Sequence, residues 1–174
     1  FDPGPGVFNL TTNPNGTSVF ILKLNSAGDF VWAKQVGGPG ANTSNSMKFD
    51  SFGNIYVSGN FDQTTDFDPG AGVHYLFSNG GATSFVLKLN AAGDFIWARQ
   101  LESLGSNSAN SVTVDQAGSI TVTGPFDGTV DFDPDTSTVA LTSSAATDIY
   151  IWKLSSSGAL MWAKQIETGV TQSR

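Results

Sequence analysis

The sequence predicts an all-β repeat fold, and three observations predict it. The stretch from Phe20 to Gln35 returns from Phe85 to Gln100 and from Tyr150 to Gln165. Leu24, Leu89 and Leu154, then Gly28, Gly93 and Gly158, then Trp32, Trp97 and Trp162 recur at intervals of 65 residues. So long and fixed a period marks a repeat architecture. Only 13% of residues are charged, whereas Gly numbers 20 and Ser, Thr and Asn are abundant. That composition suits short strands joined by tight turns, not helices built on Glu, Lys and Leu.

The chain opens on Phe1-Asp2-Pro3-Gly4, which reappears as Phe67-Asp68-Pro69-Gly70 and, altered, as Phe132-Asp133-Pro134-Asp135; it therefore starts partway through a repeat. Residues 5 to 17, rich in Gly, Pro, Asn and Thr, read as a loop with one short edge strand around Val7 to Thr11. From Val19 to Leu24 comes a strand that is largely apolar on both faces, with Phe20, Leu22 and Leu24 on one and Val19 and Ile21 on the other. Its copies place Phe85, Leu87 and Leu89, then Tyr150, Trp152 and Leu154, at the first set of positions. A strand apolar on both sides has to be covered on both, so sheets should stack above and below it. Asn25 to Asp29 supplies a tight reversal with Gly28 at the positive-φ position, and Phe30 to Gln35 returns as the partner strand. A polar linker, Gly37 to Asn45, leads to a second hairpin, Ser46 to Asp50 and Asn54 to Gly59, copied as Ser111 to Asp115 and Ser119 to Gly124. Acidic connections follow, Phe61 to Gly70 and Phe126 to Asp135. No helix is predicted anywhere.

These units divide the chain into a partial blade at 1–45, a complete repeat at 46–110 and another at 111–174, all within one repeat domain. Helix-free units of about four antiparallel strands, apolar on both faces, are best satisfied by stacking as blades of a β-propeller, here a partial one. A linear β-solenoid is the alternative, but its coils have much shorter periods. Closing a propeller takes about four to eight blades. The chain is thus expected to be a segment of a longer protein, or one copy in an assembly that completes the ring or extends it into a filament.

The motif Phe/Tyr-Ile/Val-x-Lys-Leu-Asn-x-x-Gly-x-Phe-x-Trp-Ala-Lys/Arg-Gln, with Ser-Val-x-Val-Asp-x-x-Gly-x-Ile-x-Val-x-Gly at 111 to 124, resembles the bacterial SBBP β-propeller repeat. The third copy departs from it at Ser155 and Leu160. The Val-Asp-Phe-Asp-Pro element at 130 to 134 resembles a variant found in very large secreted or surface proteins of Bacteroidota. The resemblance implies an extracellular or cell-surface location, with export often by a type IX system. It also implies a non-enzymatic structural or adhesive module of a large surface or filament protein. The alternative is a carbohydrate- or protein-binding propeller whose site lies in the inter-strand loops, where Gly37, Gly38 and Pro39 of one copy become Glu102, Ser103 and Leu104 in the next. Expected partners are further repeats of the same chain or other copies of it, and a surface glycan or protein.

The net charge of −7 argues against nucleic acid, which needs clustered Lys and Arg. No apolar run approaches the roughly 20 residues that cross a bilayer, so membrane insertion is not expected. With no Cys, disulfides and thiolate chemistry are excluded. The acidic connections offer the one candidate chemistry. Eight of the 15 acidic residues fall there: Asp62, Asp66 and Asp68; Asp127, Asp131, Asp133 and Asp135; and Asp2. The preferred reading is that Asp-Pro-Gly builds turns through carboxylate-to-amide bonds. The competing one is a calcium site on Asp66 and Asp68 in one repeat and Asp131 and Asp133 in the next, with Asp62 and Asp127 as helpers. His74, the only histidine, supports neither a triad nor a His-ligated metal and is expected at the surface. Trp32, Trp97 and Trp162 read as packing anchors in preference to sugar-stacking platforms. Asn9, Asn15 and Asn42 begin short N-glycosylation patterns.

Overall fold

The structure, a computed structural model, describes residues 1–144 and 146–169. Its fold is all-β: three propeller-type blades stacked side by side, with no helix among the described residues. Blade 1 contains β1 (Ser18–Leu24) and β2 (Phe30–Gly37). Blade 2 is an antiparallel sheet of β3 (Asn42–Phe49), β4 (Ile55–Phe61), β7 (Thr83–Leu89) and β8 (Phe95–Gln100). Blade 3 repeats it with β10 (Ser111–Val114), β11 (Ile120–Phe126), β14 (Asp148–Leu154) and β15 (Leu160–Ile166). The pairing is the same in both: Ile55, Val57 and Gly59 oppose Leu89, Leu87 and Phe85, as Ile120, Val122 and Gly124 oppose Leu154, Trp152 and Tyr150.

Each outer hairpin closes on the residue type its sequence offers. The Asn25 and Asn90 side-chain oxygens each accept two backbone N–H groups of their own turn, and Gly28, Gly93 and Gly158 sit at φ of 87°, 83° and 83°. The inner hairpins use Asp50 and Asp115 in the same way.

Three features depart from expectation. Asn42 to Asn45 is not a linker but the start of β3, which carries a bulge between Ser44 and Ser46. The acidic connections are not plain loops. One contains β5 (Thr64–Asp66) and β6 (Tyr75–Phe77), the other β12 (Thr129–Asp131) and β13 (Ala140–Thr142). Each small hairpin reaches back to the outer edge of the preceding blade: Asp66 opposes Gly37 of β2, and Asp131 opposes Glu102 of β9 (Glu102–Ser103). The connection therefore straps consecutive blades together. The edge strand expected at Val7 to Thr11 is absent. Its counterpart, β6, exists by pairing with β5, and no strand within residues 1–17 offers that partner.

Stacking decides burial. Every residue of β7 is buried, because blade 1 covers one face of blade 2 and blade 3 the other. In β1 only Val19 and Ile21, which face blade 2, are buried, and Leu22 is half-buried. In β14 Tyr150, Trp152 and Leu154 are buried against blade 2, while Ile149 on the far face is exposed. The double coverage expected of all three copies is thus realised in the central one.

Candidate functional site

The recurring residues converge on the seams between blades. Trp32 of blade 1 lies against the turn of blade 2, where a Cβ on Gly93 would come within 3.1 Å of the indole. Lys23 Nζ donates to Ala91 O of that turn at 2.8 Å. The next seam repeats the arrangement. Lys88 Nζ donates to Ser156 O at 2.9 Å, Trp97 Nε1 to the same oxygen at 3.3 Å, and Arg99 Nε to Gly158 O at 3.2 Å. A Lys from the third strand and a Trp from the fourth therefore grip the backbone of the following blade's turn. Burial pulls the Lys88 ammonium pKa down, partly opposed by Asp50. In blade 3 the equivalent Lys153 instead meets Asp115 at 2.8 Å and holds that carboxyl below the usual range. The indoles are graded by coverage: Trp97 is buried, Trp32 half-buried and Trp162 exposed. The packing role expected of all three is complete at Trp97 and partial at Trp32, and at Trp162 no blade covers the indole among the described residues.

Asp66, Asp68, Asp131 and Asp133 build the connection turns. Asp66 Oδ1 accepts the N–H groups of Asp68 and His74, and Asp131 Oδ1 those of Asp133 and Val139, at 2.9 to 3.0 Å. Asp68 Oδ1 accepts Gly70 N–H and Asp133 Oδ1 accepts Asp135 N–H. Asp62 and Asp127 are not drawn into those turns. They accept the N–H groups of Ala41 and Ser106, tying each inner hairpin to the segment before it. Among the described residues no three His, Cys, Asp or Glu side chains gather in one cluster.

His74 is not the surface residue expected. Its ring is half-buried on Phe95, with centroids 4.8 Å apart, much as Phe8 lies on Phe30 at 4.9 Å. Nε2 is buried with no hydrogen-bond partner. The position selects a flat ring, not a ligand. Asn42 is also unsuited to carry a glycan: it is buried, donates to Thr17 O and Gly40 O, and accepts from Thr65 Oγ1.

A polar group not anticipated from the sequence lies where β3 and β10 approach one another. Asn45 Nδ2 donates to Asn60 Oδ1, Ser108 Oγ and Ala109 O at 3.2 to 3.3 Å. Ser108 Oγ also bonds Asn60 and Asn110. A Cβ on Gly59 would collide with the backbone of Thr43 and Ser44 in β3, and one on Gly124 with that of Ser108 just before β10, so the close approach requires glycine. The signal was present: Asn42-Thr43-Ser44-Asn45-Ser46 recurs as Asn107-Ser108-Ala109-Asn110-Ser111. Its polar residues carry no apolar alternation by which a strand is usually found.

Asp148 secures the end of the third blade. Its carboxylate accepts the N–H groups of Thr168 and Ser144, the Ser144 hydroxyl and Gln165 Nε2. The two backbone donors, Thr168 foremost, hold its pKa down to about 2 against the opposing effect of burial. A carboxyl depressed in the folded state contributes stability that is fully present above the unfolded value of about 3.9 and lost as pH falls through the folded one. Between pH 4 and pH 2 the urea midpoint should therefore fall less steeply in Asp148→Asn than in the parent chain. Parallel profiles would remove this role.

Comparison with known proteins agrees with this architecture. Residues 31–60 match the family model of the SBBP β-propeller repeat. The chain is also 31% identical over 120 residues to an uncharacterized WD repeat-containing protein of Acanthamoeba polyphaga mimivirus, an alignment covering 63% of this chain. It spans 8% of that relative's length. Sheet order and the 65-residue period give a fold of propeller blades, a partial β-propeller, and the match over residues 31–60 agrees with it.

Proposed function

We propose that the chain is a non-enzymatic structural and adhesive module of a large bacterial surface or filament protein, located outside the cell and exported, by analogy with its repeat family, through a type IX route. The observation that supports this most is where the recurring side chains are used: Lys23 and Lys88, Trp32 and Trp97, and the turn glycines bind one blade to the next. Its partners are further repeats of the same chain or other copies, together with a surface glycan or protein. Antibody labelling of intact source cells tests the location. Labelling without lysis is expected, and labelling only after lysis would reject it.

The ligand-binding alternative is favoured by one feature, the amide and hydroxyl groups of Asn45, Asn60, Ser108 and Asn110, a neutral set suited to hydroxyl-rich ligands. Titration with neutral oligosaccharides, followed by NMR of the Asn side-chain amides, separates the two. The structural reading expects no shifts, and saturable shifts confined to these amides would favour the alternative.

The turn-building role of Asp66, Asp68, Asp131 and Asp133 leads to a further expected result. A cation that bound only the folded chain would raise its melting temperature by mass action. Calorimetry should give the same Tm in chelator and in millimolar calcium, and a concentration-dependent rise with calcium would favour the metal reading.

A further inference from the structure

We propose that Tyr75 and Phe77, with Asp66 and Thr64 beside them, form a site on the outer rim that binds an arginine side chain of a basic partner protein. The site is separate from the Asn45 group and does not depend on where the chain is located. β5 and β6 pair with Asp66 opposite Tyr75 and Thr64 opposite Phe77, so these four side chains share one face of the hairpin. The other face turns inward: Thr65 is buried, and Leu76 packs on the core between blades 1 and 2. Tyr75 and Phe77 are left 54% and 53% exposed. That exposure belongs to the rim. Ala140 and Thr142 take the same places on the strap carried by blade 2, and they are exposed although blade 1 stands before it.

The copies differ here. Where the second has Tyr75 and Phe77, the first has Asn9 and Thr11 and the third Ala140 and Thr142, so the fold has no need of aromatics at these places. Strand addition is not what the site offers, because the Gln100 amide takes both the N–H and the C=O of Phe77. Charge selects the occupant. Residues 61–83 hold Asp62, Asp66 and Asp68 and no Lys or Arg, which favours a cation. Asp66 spends Oδ1 on its turn, and among the described residues Oδ2 accepts no hydrogen bond. The two ring centroids lie 6.5 Å apart with planes 49° from each other, close enough for one cation to approach both within about 6 Å, but too tilted for a flat sugar ring to lie across the pair. A guanidinium suits the site better than an ammonium. It stacks on aromatic faces and keeps N–H donors at its edge for Asp66 Oδ2 and the Thr64 hydroxyl.

NMR titration of the folded chain with end-blocked triarginine, end-blocked trilysine and neutral maltotetraose tests this, read at the ring signals of Tyr75 and Phe77 and, for the variants, at the peptide's own signals. Triarginine should shift the ring signals saturably and bind at least about threefold more tightly than trilysine. Tyr75→Ala combined with Phe77→Ala should abolish that preference, and Asp66→Asn, whose Oδ1 still accepts the turn amides, should weaken both peptides. Transplanting the pair is the stricter arm. Asp131 and Thr129 already stand opposite Ala140 and Thr142, so Ala140→Tyr with Thr142→Phe should add a second arginine site and double the stoichiometry. Circular dichroism verifies that each variant folds. Equal binding of the two peptides, binding unchanged by the alanine pair or by Asp66→Asn, or a transplant that gains nothing would reduce the effect to general attraction by an acidic surface and overturn the site. Rings saturated by maltotetraose in place of triarginine would overturn it in favour of a glycan.

Discussion

Replacing Trp152 with alanine is expected to destabilise the chain by about 3–5 kcal/mol, the range for removing a large aromatic from a packed interior. The indole is fully buried in the cluster that joins blades 2 and 3, with Tyr56, Val86, Ile120 and Phe132 among its members. Nε1 donates to Phe132 O at 2.8 Å, so this side chain also fastens the connection that straps blade 3 to blade 2. Truncation would open a cavity and leave a buried carbonyl without that donor, two costs that reinforce each other. Trp152→Phe separates them: it keeps most of the ring volume and should retain more than half of the lost stability. Urea unfolding measures both variants, and a Trp152→Ala loss below about 1 kcal/mol would contradict the described core.

Leu87→Ala is expected to cost about 2–5 kcal/mol, whereas Leu22→Ala, at the same place in the repeat, should cost about 1 kcal/mol. The two leucines share a motif, a strand position and a neighbouring hairpin, and differ in what lies over them. Leu87 is wholly buried between blades, while Leu22 is half-buried on the open face of blade 1. Equal losses would mean that burial follows the repeat position and not the stacking.

That difference marks the limit of what the sequence made legible. The outer hairpins could be read because Gly28, Gly93 and Gly158 punctuate runs whose apolar residues repeat, and the doubly apolar strand implied stacked sheets. Which copy is covered twice could not be read, since near-identical stretches receive different neighbours. The straps were missed because β5, β6, β12 and β13 have three residues each and find their partners in the preceding blade. At so short a length, alternation carries no signal. The beginning of β3 was missed because it is polar. The clustering of Asp66, Asp68, Asp131 and Asp133 was visible, but spacing alone did not show which backbone amides each carboxylate reaches. His74 was misplaced although its position was legible: the register that sets Phe1-Asp2-Pro3-Gly4 on Phe67-Asp68-Pro69-Gly70 also sets Phe8 on His74, and the two rings pack on Phe30 and Phe95.

The central claim, that each blade's Trp closes on the turn of the next, is tested most directly by placing alanine at the three turn glycines. Gly28, Gly93 and Gly158 share nearly the same positive φ, so the backbone cost of a Cβ, roughly 1–2 kcal/mol, is common to all three. They differ in their neighbours. A Cβ would stand 3.1 Å from Trp32 at Gly93 and 3.2 Å from Trp97 at Gly158, but meet nothing within 4 Å at Gly28. Equilibrium unfolding should show Gly93→Ala and Gly158→Ala each costing about 1 kcal/mol or more beyond Gly28→Ala. Equal costs at all three positions would contradict the seams.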